Sequence, residues 1–318
     1  MTTTFSGVIP PVITPLADSG ELDLDSLESL VKHLIDGGVN GLFVLGSSGE
    51  VAFLTDADRQ RVVETAVRVA AGRVPVLAGV NETSTPRVIQ QVRLVESGGA
   101  DAIVATAPFY VLPNADEIDQ HFRLVAASTD LPLLAYDVPV RVRTKLDIAM
   151  LVRLGTEGVI VGVKDSSGDD VGFRRLVLAN RAAGSPLSLL TGHEVVADGA
   201  LLAGADGVVP GLGNVDPHGY AQLVAAAQRG DWAEAKRMQD RLTELFEIVF
   251  QASGVSGEAG GVGAFKEALT HQGVIASGRM SPPIPRLEAD VVSRITAIVD
   301  ASQSDDSSID AVRINDGV

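Results

Sequence analysis

The chain has 318 residues, of which 46% are hydrophobic, and it carries 25 lysines and arginines against 41 aspartates and glutamates. The formal net charge of −16 at pH 7 argues against a nucleic-acid or anionic-membrane partner, because both need a basic footprint. There are no cysteines, which excludes disulfides, thiolate catalysis and cysteine metal sites. The first residues, MTTTFSG, lack the features of a signal peptide, and no apolar run approaches the ~18 residues that a membrane span requires. We therefore expect a soluble cytoplasmic protein.

Eight short apolar runs alternate with longer amphipathic stretches. The runs are GVIPPVITP (7–15), GLFVLG (41–46), PVLAGV (75–80), DAIVATAP (101–108), LPLLAYDVP (131–139), GVIVGVK (158–164), LSLLTG (187–192) and DGVVPG (206–211). Stretches such as DLDSLESLVKHLIDGG have apolar residues at three- and four-residue spacing, which is typical of helices. This alternation predicts an α/β protein with a parallel sheet covered by helices. Eight units favour a (β/α)8 TIM barrel over an open doubly wound sheet, and no GxGxxG motif follows the first strand.

After residue 216 the alternation stops. Four stretches then read as helices without a strand between them: PHGYAQLVAAAQRG, WAEAKRMQDRLTELFEIVFQ, AFKEALTHQG and LEADVVSRITAIVD. We predict the barrel over residues 1–216 and a C-terminal helical extension over residues 217–301. Residues 302–318 are polar and acidic with weak periodicity, so we expect a poorly ordered tail there.

The carboxyl ends of the predicted strands carry the unusual polar residues. GSSGE follows strand two, PFY follows strand four, YDVPVR follows strand five and Lys164 ends strand six, while TGHE and GLGN follow strands seven and eight. Active sites of (β/α)8 barrels lie at this end of the strands. The sequence therefore predicts that serines, two tyrosines, an arginine and a lysine gather at one rim.

Lys164 ends a buried strand in a chain with only five lysines and twenty arginines. A lysine is rarely buried without a partner, and Asp165 beside it should point to the opposite face of the strand. One interpretation is structural, with the ammonium reaching water or a neighbouring acid. The other is chemical, because a desolvated lysine can lose its proton and attack a carbonyl.

Two neighbouring features also allow two interpretations. Tyr136 closes an apolar strand and is either a core residue with its hydroxyl at water or a proton carrier beside the lysine. GSSGE is either a serine-capped turn or a cradle in which backbone N–H groups and two hydroxyls hold a carboxylate.

Four of these motifs occur in a fixed order on strands two, four, five and six: GSSGE, PFY, YDVPVR and GVKDSSGD. In this combination the chain resembles the dihydrodipicolinate synthase / N-acetylneuraminate lyase family over about residues 5–300. The resemblance implies a covalent imine between Lys164 and pyruvate, with Tyr136 as the proton shuttle. It implies that Ser47 passes protons between Tyr136 and Tyr110, and that a neighbouring subunit lends Tyr110. A homodimer or homotetramer is therefore expected.

The resemblance also implies where the substrate lies. Ser48, Gly49 and the backbone around them would hold the pyruvate carboxylate, and the backbone around Gly192 and Val209 would line the pocket beside the imine. The expected partners are small molecules, pyruvate and an aldehyde. No external cofactor and no metal is expected, and the five histidines show no paired metal-ligand spacing.

The second substrate is open. Arg141 falls where synthases of this family grip the carboxylate of aspartate semialdehyde, a task that suits a bidentate guanidinium; its other interpretation is a rim salt bridge to an acidic neighbour. Against a synthase, Ser47 and Ser48 replace the usual threonines, and Val142 and Arg143 replace a small hydroxyl residue and glycine. Several relatives with GSSGE resemble aldolases that act on 2-keto-3-deoxy sugar acids.

We therefore predict a Schiff-base-forming lyase or synthase. The first hypothesis is a dihydrodipicolinate-synthase-like condensation of pyruvate with aspartate semialdehyde, and the second is a sugar-acid aldolase or an N-acetylneuraminate-lyase-like enzyme. A regulator that binds keto acids without turnover is disfavoured by the complete set of lysine, tyrosine and serine. A phosphate-binding barrel is disfavoured because neither TGHE nor GLGN carries a lysine or arginine. The lysine feedback site of some members is not matched, because Asp56, Arg59 and Phe109 replace histidines and a tyrosine.

Overall fold

The structure is a computed structural model that describes residues 4–315, with side chains described up to residue 303. Strands and helices alternate through the first two thirds of the chain. The strands are β1 (Gly7–Val8), β2 (Leu42–Val44), β3 (Val76–Gly79), β4 (Ala102–Thr106), β5 (Leu133–Asp137), β6 (Gly162–Asp165), β7 (Ser188–Thr191) and β8 (Gly207–Val208). The helices are α1 (Leu24–Asp36), α2 (Asp56–Ala70), α3 (Thr85–Ser97), α4 (Ala115–Ala126), α5 (Pro139–Val142), α6 (Ile148–Thr156), α7 (Asp170–Ala182), α8 (Ala197–Ala203), α9 (Pro217–Gln228), α10 (Trp232–Phe246), α11 (Gly257–His271) and α12 (Ala289–Asn315).

The eight strands form one parallel sheet in the order β1-β8-β7-β6-β5-β4-β3-β2. The two ends of this order meet where Pro11, just after β1, forms a parallel bridge with Phe43 of β2. The Phe43 N–H donates to the Pro10 carbonyl at 3.0 Å. The sheet is therefore a barrel, and the predicted (β/α)8 architecture is confirmed.

Alternation of side chains along each strand gives the barrel two hydrophobic cores. On β4, Ala102 and Val104 belong to the core inside the barrel, whereas Ile103 and Ala105 belong to the core between the sheet and the helices. Both faces of the strands are apolar because helices cover the outer face. This alternation decides which polar residues at the strand ends point into the barrel.

The predicted helices begin where the sequence supplies a cap. The side chain of Asp23 accepts the N–H of Ser26 at the start of α1, and the side chain of Thr55 accepts the N–H of Asp58 at the start of α2. Such a cap stabilises a helix by ~1 kcal/mol.

The C-terminal part is helical, as predicted, but α11 begins earlier than expected. It starts at Gly257 rather than at Ala264, although the intervening run is rich in glycine, which has low helix propensity. The Ser256 side chain caps it by accepting the N–H of Ala259, and the buried Val262 lies in the same run. Capping and burial here outweigh local propensity.

α12 continues through residue 302, where the tail was predicted to begin, to Asn315. Residues 316–318 lie outside the described residues. The poorly ordered tail and the domain boundaries at residues 216 and 301 stay predictions. None of the helices in residues 4–315 is both long enough and apolar enough to cross a lipid bilayer.

Candidate active site

Lys164 and Tyr136 lie side by side inside the barrel. They are paired in register on β6 and β5, and Lys164 is only 5% exposed. The Lys164 Nζ atom lies 4.1 Å from the centre of the Tyr136 ring and 4.8 Å from that of Phe43. Among the described residues no carboxylate forms an ion pair with Lys164. Asp165 points to the outer face, as predicted. The amine is thus surrounded by aromatic faces rather than held by a counter-ion.

The Tyr136 hydroxyl contacts small polar groups beside the amine. Its oxygen lies 3.5 Å from Ser47 Oγ. Burial raises the pKa of Tyr136, but the positive charge of Lys164 and hydrogen bonds with Ser47, Lys164 and Ser166 outweigh burial, so the pKa of this phenol lies below its usual value. A phenol of lowered pKa is suited to proton transfer. Sequence reasoning missed Ser166; its signal is its place two residues after the lysine, just beyond the end of β6.

The GSSGE loop after β2 forms a tight turn beside these two residues. The Gly49 N–H donates to the Gly46 carbonyl at 3.1 Å, and the Glu50 N–H donates to the Ser47 carbonyl at 3.0 Å. A Cβ atom at Gly49 would lie 3.1 Å from a backbone carbonyl oxygen, so a side chain there would be crowded. Ser48 is half-buried in this turn. The loop contacts the Tyr136 hydroxyl through Ser47, and its role as a carboxylate cradle stays a prediction.

Glu50 connects this loop to the C-terminal helices. It has a φ of 52°, in the left-handed region, which costs a non-glycine residue about 1–3 kcal/mol. Its carboxylate forms an ion pair with the fully buried Lys266, which also donates to the Arg279 carbonyl at 2.8 Å. The Ser281 N–H donates to the same carboxylate at 2.8 Å. Burial lowers the pKa of Lys266, and the charge of Glu50 opposes that effect.

Gly192 and Val209 lie at the same rim, after β7 and β8. The Gly192 N–H donates to the Asp165 carbonyl at 2.6 Å. A Cβ atom at this position would overlap Ser166 Oγ, so a side chain there would displace the Ser166 hydroxyl. Val209 belongs to the inner core together with Tyr136. The backbone of both residues is therefore close to the Lys164 site.

Glu194 joins the loops after β7 and β8. Its carboxylate accepts the N–H of Leu212 at 2.6 Å and a second N–H from Gly211. Burial raises the pKa of Glu194 to about 7, although these hydrogen bonds and the charge of Lys164 act in the opposite direction. The backbone donors that a phosphate would need are thus used by a carboxylate, which argues further against a phosphate-binding barrel.

Arg141 lies in α5 at the rim, and half of its side chain is exposed. Its Nη2 atom lies 2.5 Å from Oε2 of Glu258, near the start of α11. The rim salt bridge that the sequence left as an alternative is therefore present. Sequence reasoning missed Glu258 because it is far from Arg141 along the chain and no local motif marks it.

Tyr110 has a φ of 76°, in the left-handed region, and its side chain is 92% exposed. Its hydroxyl has no hydrogen-bond partner within the described part of this chain. The relay from Ser47 to Tyr110 is therefore not formed within one chain, and the loan of Tyr110 to a second subunit stays a prediction.

A cavity of about 760 Å³ opens at this rim, and its lining includes Ser47, Tyr136, Phe109 and Arg141. Arg59 also lines it, but it is buried and donates to Glu82 at 2.8 Å. The arginines at the cavity wall are thus held by acids of the same chain. Among residues 4–303, whose side chains the structure describes, no three histidine, aspartate or glutamate side chains are grouped so that they could hold a metal ion.

Residues 4–302 match the model of the dihydrodipicolinate synthetase family. This chain belongs to that family. It is 36% identical over 299 residues to a 4-hydroxy-tetrahydrodipicolinate synthase of Phenylobacterium zucineum, an alignment that covers 93% of this chain and 97% of that protein. The predicted family and the predicted class of enzyme, a lyase or synthase, are confirmed.

Solved structures of the dihydrodipicolinate synthetase family also superpose on this chain. A prophage protein of E. coli K12, solved in complex with pyruvate, gives a TM-score of 0.88 at 28% identity and covers 95% of this chain and 99% of its own. A monomeric dihydrodipicolinate synthase variant gives a TM-score of 0.87 at 26% identity and covers 95% of this chain and 98% of its own.

Proposed function

We propose that this enzyme forms a Schiff base between Lys164 and pyruvate and then joins the pyruvate carbon to an aldehyde. The observation that supports this most strongly is the environment of Lys164. It is a buried lysine without a carboxylate partner in the described residues, next to a tyrosine whose pKa is lowered. A structural lysine would be expected to have a counter-ion, and a Schiff-base lysine needs a reachable lone pair instead.

The proposed reaction proceeds in balanced steps. The Lys164 nitrogen attacks C2 of pyruvate, and the carbinolamine loses water to give a cationic imine. The imine withdraws electrons, so a proton leaves C3 and an enamine forms. C3 then attacks the aldehyde carbon, the aldehyde oxygen takes up a proton, and water releases the product from the lysine. Tyr136 carries these protons, with Ser47 at 3.5 Å from its hydroxyl as the next member of the relay.

In this proposal different rim residues contact different parts of the bound pyruvate. The hydroxyl of Ser48 and the N–H groups around Gly49 hold the pyruvate carboxylate, and the backbone at Gly192 and Val209 bounds the imine. The reaction needs no cofactor, because the lysine imine itself is the electron sink.

The first candidate for the aldehyde is aspartate semialdehyde, which would make the protein a 4-hydroxy-tetrahydrodipicolinate synthase like its relative of 36% identity. Arg141 would then grip the substrate carboxylate. The second candidate function is a different reaction, the cleavage of a 2-keto-3-deoxy sugar acid or of N-acetylneuraminate to pyruvate and an aldehyde. The ion pair between Arg141 and Glu258 favours this second candidate, because a guanidinium already bound to a carboxylate is less available to an acidic aldehyde.

We also propose a homodimer or homotetramer in which a second subunit receives Tyr110. The exposed side chain and left-handed backbone of Tyr110 support this assignment, since strained backbone of this kind is concentrated at functional sites. The cytoplasmic location and the absence of nucleic-acid or membrane partners stay predictions from the sequence.

Turnover assays test the proposed function. Pyruvate is incubated with a panel of aldehydes, and cleavage of 2-keto-3-deoxygluconate and N-acetylneuraminate is measured in parallel. We expect the highest kcat/KM for condensation with aspartate semialdehyde. Faster cleavage of either keto acid would establish the second candidate instead, and binding of pyruvate without any turnover would leave the keto-acid regulator.

A further inference from the structure

Two buried carboxylates lie directly behind the Lys164 site. Asp137 and Asp165 are the last residues of β5 and β6, they are paired in register, and each is 1% exposed. Because neighbouring residues of a strand point to opposite faces, Tyr136 and Lys164 project into the barrel while the next residues project outward. Two like charges buried side by side would repel each other strongly.

A single lysine lies between these carboxylates. Lys145, from the segment between α5 and α6, forms an ion pair with Asp137 and lies 3.3 Å from an Asp165 oxygen. The other oxygens are also used: Asp137 accepts the N–H of Leu146 at 3.1 Å, and Asp165 accepts the N–H of Ser167 at 2.8 Å. Within the described residues, no second cation pairs with either carboxylate. Lys145 is therefore the main source of neutralising charge.

Hydrogen bonds join the backbones at the carboxyl ends of β5, β6 and β7 beside these carboxylates. The Ser166 N–H donates to the Asp137 carbonyl at 2.8 Å, and the Gly192 N–H donates to the Asp165 carbonyl at 2.6 Å. A change in the spacing of the two carboxylates would therefore move the strand ends that carry the tyrosine and the lysine. A misplacement of about 1 Å at such a site can reduce the rate roughly 10²-fold.

We propose that Lys145 is a positioning residue, which fixes the ends of β5 and β6 relative to each other and thereby aligns Tyr136 with Lys164. It touches neither substrate nor the reacting atoms. The effect is electrostatic: one ammonium neutralises one of two buried carboxylates and bridges both. This inference rests on the proposed Schiff-base function, since it concerns the geometry of the amine and its proton carrier.

Lys145→Met tests the proposal by removing the ammonium while keeping an unbranched apolar side chain. We expect the rate of pyruvate imine formation, measured as single-turnover borohydride trapping per folded molecule, to fall roughly 10²-fold, with less than a threefold change in the apparent pyruvate affinity. The residual rate should rise relative to the unmodified enzyme as the pH falls, because burial raises the pKa of Asp137 and a proton on this carboxylate then replaces the missing charge. The groups that face this pair are Lys145 on the outer side and, through the strands, Tyr136 and Lys164 on the inner side.

Rescue separates positioning from simple stability. Lys145→Arg should recover most of the rate, and so should Lys145→Met combined with Asp137→Asn, because the amide can accept from Leu146 and donate to Asp165. Lys32→Met is the matched control, since Lys32 lies on α1 with more than half of its side chain exposed. An unchanged rate per folded molecule in Lys145→Met, or no recovery in the double variant, would overturn the proposal. Absence of any adduct in the unmodified enzyme would instead overturn the proposed function.

Discussion

Two buried lysines of this chain differ in the groups that surround their amines. Lys266 is fully buried, forms an ion pair with Glu50 and donates to a backbone carbonyl. Lys164 is 5% exposed, and its neighbours are the rings of Tyr136 and Phe43 rather than a carboxylate. Lys266 contacts the GSSGE loop through Glu50, whereas Lys164 lies beside Tyr136, whose hydroxyl contacts Ser47 of that loop.

The difference separates a structural lysine from a chemical one. A buried ammonium that is paired on every side has no lone pair to offer, and removing its partner is costly. A buried amine that packs on aromatic rings and has no ion pair in the described residues loses no salt bridge when it becomes neutral. The absence of an ion pair at Lys164, more than burial itself, therefore supports the proposal that Lys164 is the nucleophile.

Apart from loss of the amine itself, the largest effect on turnover is expected at Tyr136, whose ring and hydroxyl lie beside Lys164. Tyr136→Phe keeps the ring that packs on the amine and removes only the proton carrier. Turnover should fall roughly 10²–10⁴-fold, the usual contribution of general acid–base catalysis, while thermal unfolding stays nearly unchanged. Ser47→Ala should lose less, because water can replace a small hydroxyl. Full activity of Tyr136→Phe would make this residue part of the core only.

The second test compares the effect on stability of removing each lysine. Lys266→Met leaves Glu50 buried without its cation, which should lower the free energy of unfolding by about 3–5 kcal/mol. Lys164→Met removes an amine that has no ion pair in the described residues. It should change the free energy of unfolding by less than ~1 kcal/mol and should abolish activity. Denaturant midpoints measured with urea give both numbers.

A matched double variant checks the cause of that loss. Lys266→Met combined with Glu50→Gln removes the stranded charge and should recover part of the stability. Equal destabilisation by Lys164→Met and Lys266→Met would mean that the presence of a counter-ion does not distinguish the two sites.

The smallest effect is expected at Arg141, a cation that has a partner but lies at an exposed rim. If it grips the carboxylate of the second substrate, Arg141→Ala should reduce kcat/KM for an acidic aldehyde ten- to a few hundred-fold, since a charge-assisted pair contributes about 1.5–3 kcal/mol. Pyruvate imine formation and turnover of a neutral aldehyde such as glyceraldehyde should change little. Glu258→Gln is the control, because it frees the guanidinium and should improve use of the acidic aldehyde. Equal losses for both aldehydes would show that Arg141 only organises the rim.

Periodicity was sufficient to predict the barrel, because the apolar runs and amphipathic stretches differ clearly in period. It was not sufficient for the start of α11, where the Ser256 cap and burial in the core support a helix that glycine disfavours locally. The inward and outward faces of β6 were predictable from alternation, and so was the separation of Lys164 from Asp165. The placement of Lys145 between two carboxylates was not predictable, because its contact with Asp165 joins residues twenty positions apart.

The same limit applies to the pairs around the site. Lys266 and Glu50, like Arg141 and Glu258, are more than one hundred positions apart. No local pattern marks such long-range ion pairs. The motifs GSSGE, PFY and YDVPVR contain residues that line the cavity, but only the folded chain shows which of their charges are already neutralised.

Trapping with borohydride tests the central claim most directly. The protein is incubated with pyruvate and borohydride, and the modified peptide is located by mass spectrometry. We expect one pyruvate-derived mass per chain, on the peptide that carries Lys164, and no adduct in Lys164→Arg, because a guanidinium does not act as an amine nucleophile. An adduct on Lys145 or Lys266, or no adduct at all, would contradict the assignment of Lys164 as the Schiff-base lysine.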